Sequence, residues 1–279
     1  MLSQLEDFVN GLLKGPFVIF GDECWEILTD IAQKVMIQTP EQFSPDAWNY
    51  VVNTLYPWVL TIGVSMVNVF FILSFFKAVS NIRENITLEL CVESMMKLVV
   101  LNVLMIKGLD IFNTIFSMAT AMVGEILKTA IFAPYHGDLD LGGVLANYTF
   151  GFLYMIIAAV CGAVILITVM SRYLKLYVVM VFYPLAMPTL IGGHGIDGTA
   201  YAWIRQFLSI SFEIVAIALV MAIGGRILAS VQPMFEASTS IGSAFDGADK
   251  LIGTTISMIL MATGVRGASN LMNKTFNLH

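Results

Sequence analysis

Residues 57–76 read PWVLTIGVSMVNVFFILSFF, a run of twenty residues without a charged side chain. A helix of about 20 apolar residues crosses the roughly 30 Å hydrocarbon core of a bilayer. The whole chain agrees with this segment, because 58% of its 279 residues are hydrophobic and only 12% are charged, against about 25% charged in soluble domains. The sequence therefore predicts an all-α fold, a polytopic helical bundle in a membrane.

Further apolar stretches have the length of membrane helices. We predict spans at about 57–76, 96–127, 145–170, 206–229 and 250–265. The basic residues Lys77, Arg83 and Lys97 follow the first span, whereas the segment before it is rich in acids. Because cytoplasmic loops are enriched in Lys and Arg, we expect a multi-pass protein of the cell membrane with its N-terminus outside and its C-terminus in the cytoplasm.

The N-terminal part has a different pattern. Apolar residues recur at helical spacing from residue 2 to 12 and again from 17 to 36, with acids mostly on the other side. Ser44 followed by Pro45 has the form of an N-cap and an N1 proline. We therefore expect residues 1–56 to form an amphipathic helical head outside the membrane and residues 57–275 to form the transmembrane domain.

The segment MVFYPLAMPTLIGGHG at 180–195 does not have the pattern of an ordinary span. Pro184 and Pro188 lie one helical turn apart, and each removes a backbone N–H. The apolar run 176–191 is also short for a crossing. We predict that 176–203 is a re-entrant or broken helix pair, which points to a channel or a substrate site, since irregular backbone at membrane depth must be covered by protein or water. A proline-kinked ordinary span is the alternative.

Three of the charged residues in the predicted spans are candidate functional residues. Lys107 and Asp110 are spaced i, i+3, so that a helix brings them together. They form either an intramembrane pair or a pair at the headgroup level, where Lys107 extends to the interface. Glu213, seven residues into the fourth span, either lines a polar lumen or pairs with a neighbouring helix.

The sequence gives little support for a metal site, a cofactor site or a catalytic site. His136, His194 and His279 lack metal-ligand spacing, and the three cysteines form no C-x-x-C pair. No phosphate-binding lysine loop and no nucleophile motif is present. We expect no metal, no cofactor and no catalytic residue. The net charge of −6 and the scattered basic residues also disfavour tight nucleic-acid binding.

The order of these features resembles the TrbL family. The resemblance covers most of residues 45–275 and rests on SRYLKLYVVMVFYPLAMP at 171–188, on a glycine-containing turn, and on AWIRQFLSISFE at 202–213. TrbL proteins are polytopic inner-membrane subunits of conjugative type IV secretion systems and counterparts of the polytopic VirB channel component. This chain is similar to the short forms from conjugative elements of Gram-positive bacteria.

The resemblance implies a channel or scaffold subunit without enzymatic activity, which helps to pass relaxase-bound DNA across the cell membrane. Its implied partners are copies of itself, other secretion subunits including the secretion ATPase and the coupling protein, and single-stranded DNA at most transiently. By position, Pro184, Pro188, Trp203 and Arg205 would shape the core segment. From the residues alone, a secondary transporter or small-solute channel with a broken-helix site is the alternative.

Overall fold

The structure is a computed structural model that describes residues 15–81, 88–129, 141–191, 198–238 and 248–276. These ranges contain helices and no strand, which confirms the all-α prediction. The helices are α1 (Pro16–Met36), α2 (Pro40–Phe43), α3 (Pro45–Tyr50), α4 (Tyr56–Asn81), α5 (Leu88–Leu127), α6 (Leu141–Ala186), α7 (Gly198–Ser238) and α8 (Ala248–Thr275). A π-helical turn, Val51–Leu55, joins α3 to α4, and a 3-10 turn, Met187–Ile191, follows α6.

Long apolar helices dominate the described part of the chain. Five stretches are long and apolar enough to cross a membrane, namely Pro45–Phe76, Met95–Leu127, Asn147–Ile191, Gly198–Ile227 and Leu251–Thr275. Large hydrophobic side chains on them are widely exposed, among them Ile106 at 71% and Leu174 at 68%. A surface of this kind is expected where lipid is the solvent. The chain is therefore a multi-pass membrane protein.

Helix α6 continues beyond residue 170, where the predicted third span ends, to Ala186. It has 46 residues and is about 69 Å long at 1.5 Å per residue. Residues 176–186 extend α6, and residues 198–203 begin α7, so 176–203 is not an element separate from the two neighbouring helices. Pro184 lies inside α6, two residues before its C-terminal end, and it removes one backbone hydrogen bond to the preceding turn. The interruption comes later, in the 3-10 turn.

The ends of α7 and α8 also differ from the predicted span limits. Helix α7 continues beyond residue 229 to Ser238, and α8 continues beyond residue 265 to Thr275. Hydropathy marks the part of a helix that suits lipid, whereas backbone hydrogen bonding continues into more polar sequence. The predicted limits are therefore not helix ends.

The chain divides into two compact units. Unit 1 comprises the described residues of Met1–Ile37, Ala121–Ser171 and Ile214–Asn270, and unit 2 those of Gln38–Thr120, Arg172–Glu213 and Leu271–His279. In unit 1, α1 packs on the first half of α6, and in unit 2 residues 38–43 contact its second half. The division after residue 37 differs from the predicted boundary between head and transmembrane domain at residue 56.

Some sequence-based expectations concern residues outside the described ranges. They include the first helical repeat of the head, Arg83 in the basic loop, and three histidines, namely His136, His194 and His279. The glycines at 192, 193 and 195, which follow Pro188, and residues 239–247 lie there too.

Candidate functional site

The end of α6 and the start of α7 form an antiparallel hairpin in unit 2, built from the residues that carry the family resemblance. Arg172 contacts the backbone of Ile210 and Ser211. Seven residues further along α6, the carbonyl of Val179 accepts a hydrogen bond from Nε1 of Trp203 at 3.0 Å. Residue numbers rise along α6 while those of the contacted residues fall along α7. The two segments quoted for the resemblance are thus paired side by side.

Arg172 is the most unusual residue of this hairpin because its side chain is fully buried, at 0% exposure. Its Nε donates to the carbonyl of Ile210 at 3.1 Å, and its Nη2 donates to the carbonyl of Ser211 at 3.0 Å. A buried charge requires both hydrogen bonds and an opposite charge. The carboxylate of Glu213 provides the opposite charge. Arg172 therefore joins α6 to α7, two residues beyond the predicted end of the third span.

Glu213 completes a charge cluster with Arg172 and Lys175. Its side chain is only 2% exposed, and its Oε1 lies 3.4 Å from Nζ of Lys175, whose side chain is 43% exposed. Glu213 was predicted either to line a polar lumen or to pair with a neighbouring helix. In unit 2 it pairs with a neighbouring helix, α6. Two cations and one carboxylate leave the cluster with a formal charge of +1. Ionisable groups buried among apolar helices are rare and are functional candidates by default.

The cluster also retains polar atoms that make no hydrogen bond within the described part of the chain. These are Nη1 of Arg172 and Oγ of Ser211, both buried. Nearby, Oγ of Ser209 lies 3.0 Å from Oδ1 of Asn273, which attaches the end of α8 to α7. Polar contacts from α6 and α8 thus reach α7 between residues 209 and 213.

Aromatic side chains from three helices pack together on the tip side of the cluster. Trp203 stacks on Phe207 with ring centroids 5.2 Å apart and planes 6° apart. The Phe112 ring of α5 lies 4.7 Å from Phe207 and 4.9 Å from Tyr183 of α6. An apolar cavity of about 200 Å³ adjoins these rings. Trp203 is consequently buried, and its role in this structure is to fix the hairpin against α5.

Two tyrosine hydroxyls attach α4 and α6 to consecutive carbonyls of α5. Oη of Tyr183 donates to the carbonyl of Leu104 at 2.8 Å, and Oη of Tyr56 donates to the carbonyl of Met105 at 3.2 Å. Both carbonyls belong to an α-helix and already accept from the residues four positions later. The tyrosines add a second bond to each and fix the register of three helices.

Two glycines allow the close approach that these tyrosine contacts require. A Cβ placed on Gly108 would collide with the ring of Tyr183, and one placed on Gly63 would collide with the carbonyl oxygen of Pro184. Both collisions involve groups that cannot simply rotate away. The proline-containing end of α6 therefore packs closely against α4 at Gly63 and against α5 at Gly108.

The remaining predicted residues lie in different surroundings. Pro188 is buried in the 3-10 turn at the tip of the hairpin. Lys107 and Asp110 form the ion pair that their spacing predicts, at 3.0 Å, but both side chains are largely exposed, at 64% and 70%. Arg205 is also exposed. Hence Pro184, Pro188 and Trp203 lie towards the tip of the hairpin and Glu213 lies at its base, whereas Lys107, Asp110 and Arg205 are exposed.

Comparison with protein-family models, with curated proteins and with solved structures gives no match. The TrbL resemblance thus rests on the sequence pattern at 171–213, and the family remains a prediction. Among the described residues, no group of three or more His, Cys, Asp and Glu side chains could hold a metal ion.

Sequence reasoning missed the buried charge cluster in its present form. The predicted third span ends at residue 170, before Arg172 and Lys175, although both residues lie within an apolar run that continues to Ile191. Two basic residues inside an otherwise uninterrupted apolar stretch were the available signal. It indicates charges that need partners on another helix.

Proposed function

We propose that this protein is a channel or scaffold subunit of a conjugative type IV secretion system in the cell membrane, and that it helps to pass a relaxase-bound DNA strand. One observation carries the proposal. The two sequence segments that resemble the TrbL family pack against each other as a single hairpin, with Arg172 and Glu213 buried at its base. The resemblance thus applies to one compact piece of structure.

The hairpin has the physical properties of a fixed frame. Its two helices are joined by charge-assisted hydrogen bonds, which are about twice as strong as neutral ones, and its tip is packed by stacked aromatic rings. Such a frame keeps its shape while a flexible cargo moves past it. A subunit that scaffolds a conduit requires this rigidity more than it requires reactive groups.

The outer side of the hairpin supports assembly with neighbouring proteins. Leu174, Val178 and Phe182 are exposed at i, i+4 and i+8 along α6, so they form one apolar stripe. We infer that this stripe contacts lipid or another copy of the chain within a homo-oligomer. The exposed Lys107–Asp110 pair and Arg205 are available to other secretion subunits.

The test is the frequency of DNA transfer between cells. A clean deletion of the gene is compared with the same strain complemented in trans, and growth and membrane integrity are checked in both. We expect transfer to be lost and then restored. Unchanged transfer in the deletion strain would overturn the proposal, and uptake assays with small solutes would then test the transporter alternative.

A variant pair connects this assay with the hairpin. Glu213→Gln removes the buried carboxylate, whereas Asp110→Asn removes an exposed one in a local ion pair. We expect transfer to fall in the first variant and to stay near the wild-type level in the second. Membrane levels of both proteins are measured by immunoblot, so that a loss of transfer can be separated from a loss of protein.

A further inference from the structure

Helix α1 runs alongside the first half of α6 in unit 1. A Cβ placed on Gly151 would lie 3.0 Å from Val18, and one placed on Gly162 would lie 2.9 Å from Leu28. Residue numbers rise together in the two helices, so the helices are parallel. The hydroxyl of Tyr154, between these contacts, donates to the carboxylate of Asp22.

The part of α6 that α1 follows belongs to the most apolar described stretch. Among the five apolar stretches, Asn147–Ile191 has the highest mean hydropathy. Two helices that stay in parallel contact over several turns share the same depth in a membrane. Helix α1 has 21 residues and is about 32 Å long, which matches the hydrocarbon thickness of about 30 Å.

Helix α1 presents three different faces around its axis. The face against α6 is buried and contains Val18, Gly21, Trp25, Thr29, Ala32 and Met36. On one side of it lies an exposed apolar face made of Phe17, Phe20, Ile27 and Ile31. On the other side lies an exposed charged face made of Glu23, Glu26, Asp30 and Lys34. Successive residues are about 100° apart in a helix, which separates the two exposed faces.

These faces require two different solvents. Exposed Phe and Ile side chains suit acyl chains, and the exposed residues Leu153, Ile156 and Val160 of α6 present the same kind of surface. Exposed carboxylates at the same depth do not suit acyl chains, because charged groups in the hydrocarbon face water or protein. One helix therefore borders lipid on one side and a polar space on the other.

An amphipathic helix lying flat on the membrane surface does not fit these contacts. Such a helix lies in the plane of the interface, so it would cross a membrane-spanning helix at one point. Helix α1 contacts α6 from Val18 to Leu28 at a constant offset. Just beyond α1, in unit 2, the carbonyl of Gln38 accepts from Tyr173 at 2.8 Å, so the chain is still beside α6 there.

We propose that α1 crosses the membrane beside α6, with its apolar face against lipid and with Glu23, Glu26 and Asp30 facing a water-filled space at membrane depth. The N-terminal region is then not an external head. The inference holds for any cargo and does not rest on DNA transfer. Hydropathy alone does not identify α1 as a span because of its charged face.

Cysteine accessibility tests the two exposed faces. In a protein whose native Cys24, Cys91 and Cys161 are replaced by alanine, single cysteines are introduced as Glu26→Cys and, in the matched control, Ile27→Cys. Thiols react as thiolates, which form in water, so a charged and membrane-impermeant reagent is expected to label position 26 at least about tenfold faster than position 27. A lipid-soluble maleimide reports that both proteins are folded into the membrane.

Comparable fast labelling at both positions would place α1 in water and overturn the proposal. Slow labelling by the charged reagent at both positions would show that protein covers the charged face, which also overturns it. A second pair, Pro16→Cys and Glu41→Cys, tests the crossing itself. We expect the two cysteines to react from opposite sides of the membrane, and reaction from one side would contradict it.

Discussion

Replacement of Arg172 by methionine tests the central contact of the hairpin. Methionine fills much of the same space but removes the charge and both hydrogen bonds to α7. Hydrogen bonds to charged groups contribute about 1.5–3 kcal/mol each, and Arg172 makes two. Glu213, with 2% of its side chain exposed, would keep only Lys175 at 3.4 Å.

Part of this loss is offset, because the buried guanidinium no longer has to be desolvated. Glu213 would remain as a buried charge with one long contact, and removing one partner from a set of buried charges costs about 3–5 kcal/mol. Since 1 kcal/mol corresponds to about 2–4 °C in a protein of 150–250 residues, we expect the unfolding midpoint to fall by about 6–20 °C. The assay is thermal unfolding of the detergent-solubilised protein, followed by a thiol-reactive dye or by tryptophan fluorescence.

The control is Lys175→Met, which removes the other cation of the cluster. Lys175 is nearly half exposed and its contact is long, so we expect a loss of only about 0–1 kcal/mol. The double variant Arg172→Met with Glu213→Gln removes both buried charges. Its unfolding midpoint is expected to fall by less than the sum of the decreases in the two single variants. Equal midpoints for the Arg172 and Lys175 variants would refute the reasoning that the buried guanidinium joins α6 to α7.

Three other predictions follow from the packing of the hairpin. Gly63→Ala is expected to lower stability by about 1–3 kcal/mol relative to Gly124→Ala, because a Cβ at position 63 meets Pro184 whereas position 124 has nothing within 4 Å; equal unfolding midpoints would contradict this. Pro184→Ala combined with Pro188→Ala is expected to leave membrane insertion intact and to reduce DNA transfer, and normal transfer would show that the prolines only shape the helix end. Cysteines at Lys175 and Gln206, both polar positions with solvent exposure in the antiparallel hairpin, are expected to react with an impermeant reagent from the same side of the membrane, and labelling from opposite sides would disprove that topology.

The sequence was sufficient for the fold class because composition and the length of apolar runs are properties of single segments. The Lys107–Asp110 pair was predictable for the same reason, since three residues of spacing on a helix determine the contact. Neither the fold class nor this ion pair depends on contacts between residues that are far apart in the sequence.

The partners of Arg172 could not be predicted in this way. They are backbone carbonyls 38 and 39 residues away, and carbonyls have no residue-specific signal in a sequence. Basic residues at the edge of an apolar run normally indicate a loop, so the same pattern fits a helix end and a buried contact equally well. The packing of α1 along α6 was not predicted either, because the charged face of α1 gives its sequence the pattern of an amphipathic helix outside the membrane.

The tie between Arg172 and α7 also has an evolutionary consequence. Because the guanidinium binds main-chain oxygens, any residue at positions 210 and 211 can offer the same acceptors. Selection therefore acts on one end of the contact only. In a set of relatives that share this hairpin, we expect arginine to persist at position 172 while the side chains at 210 and 211 drift freely within the limits of packing.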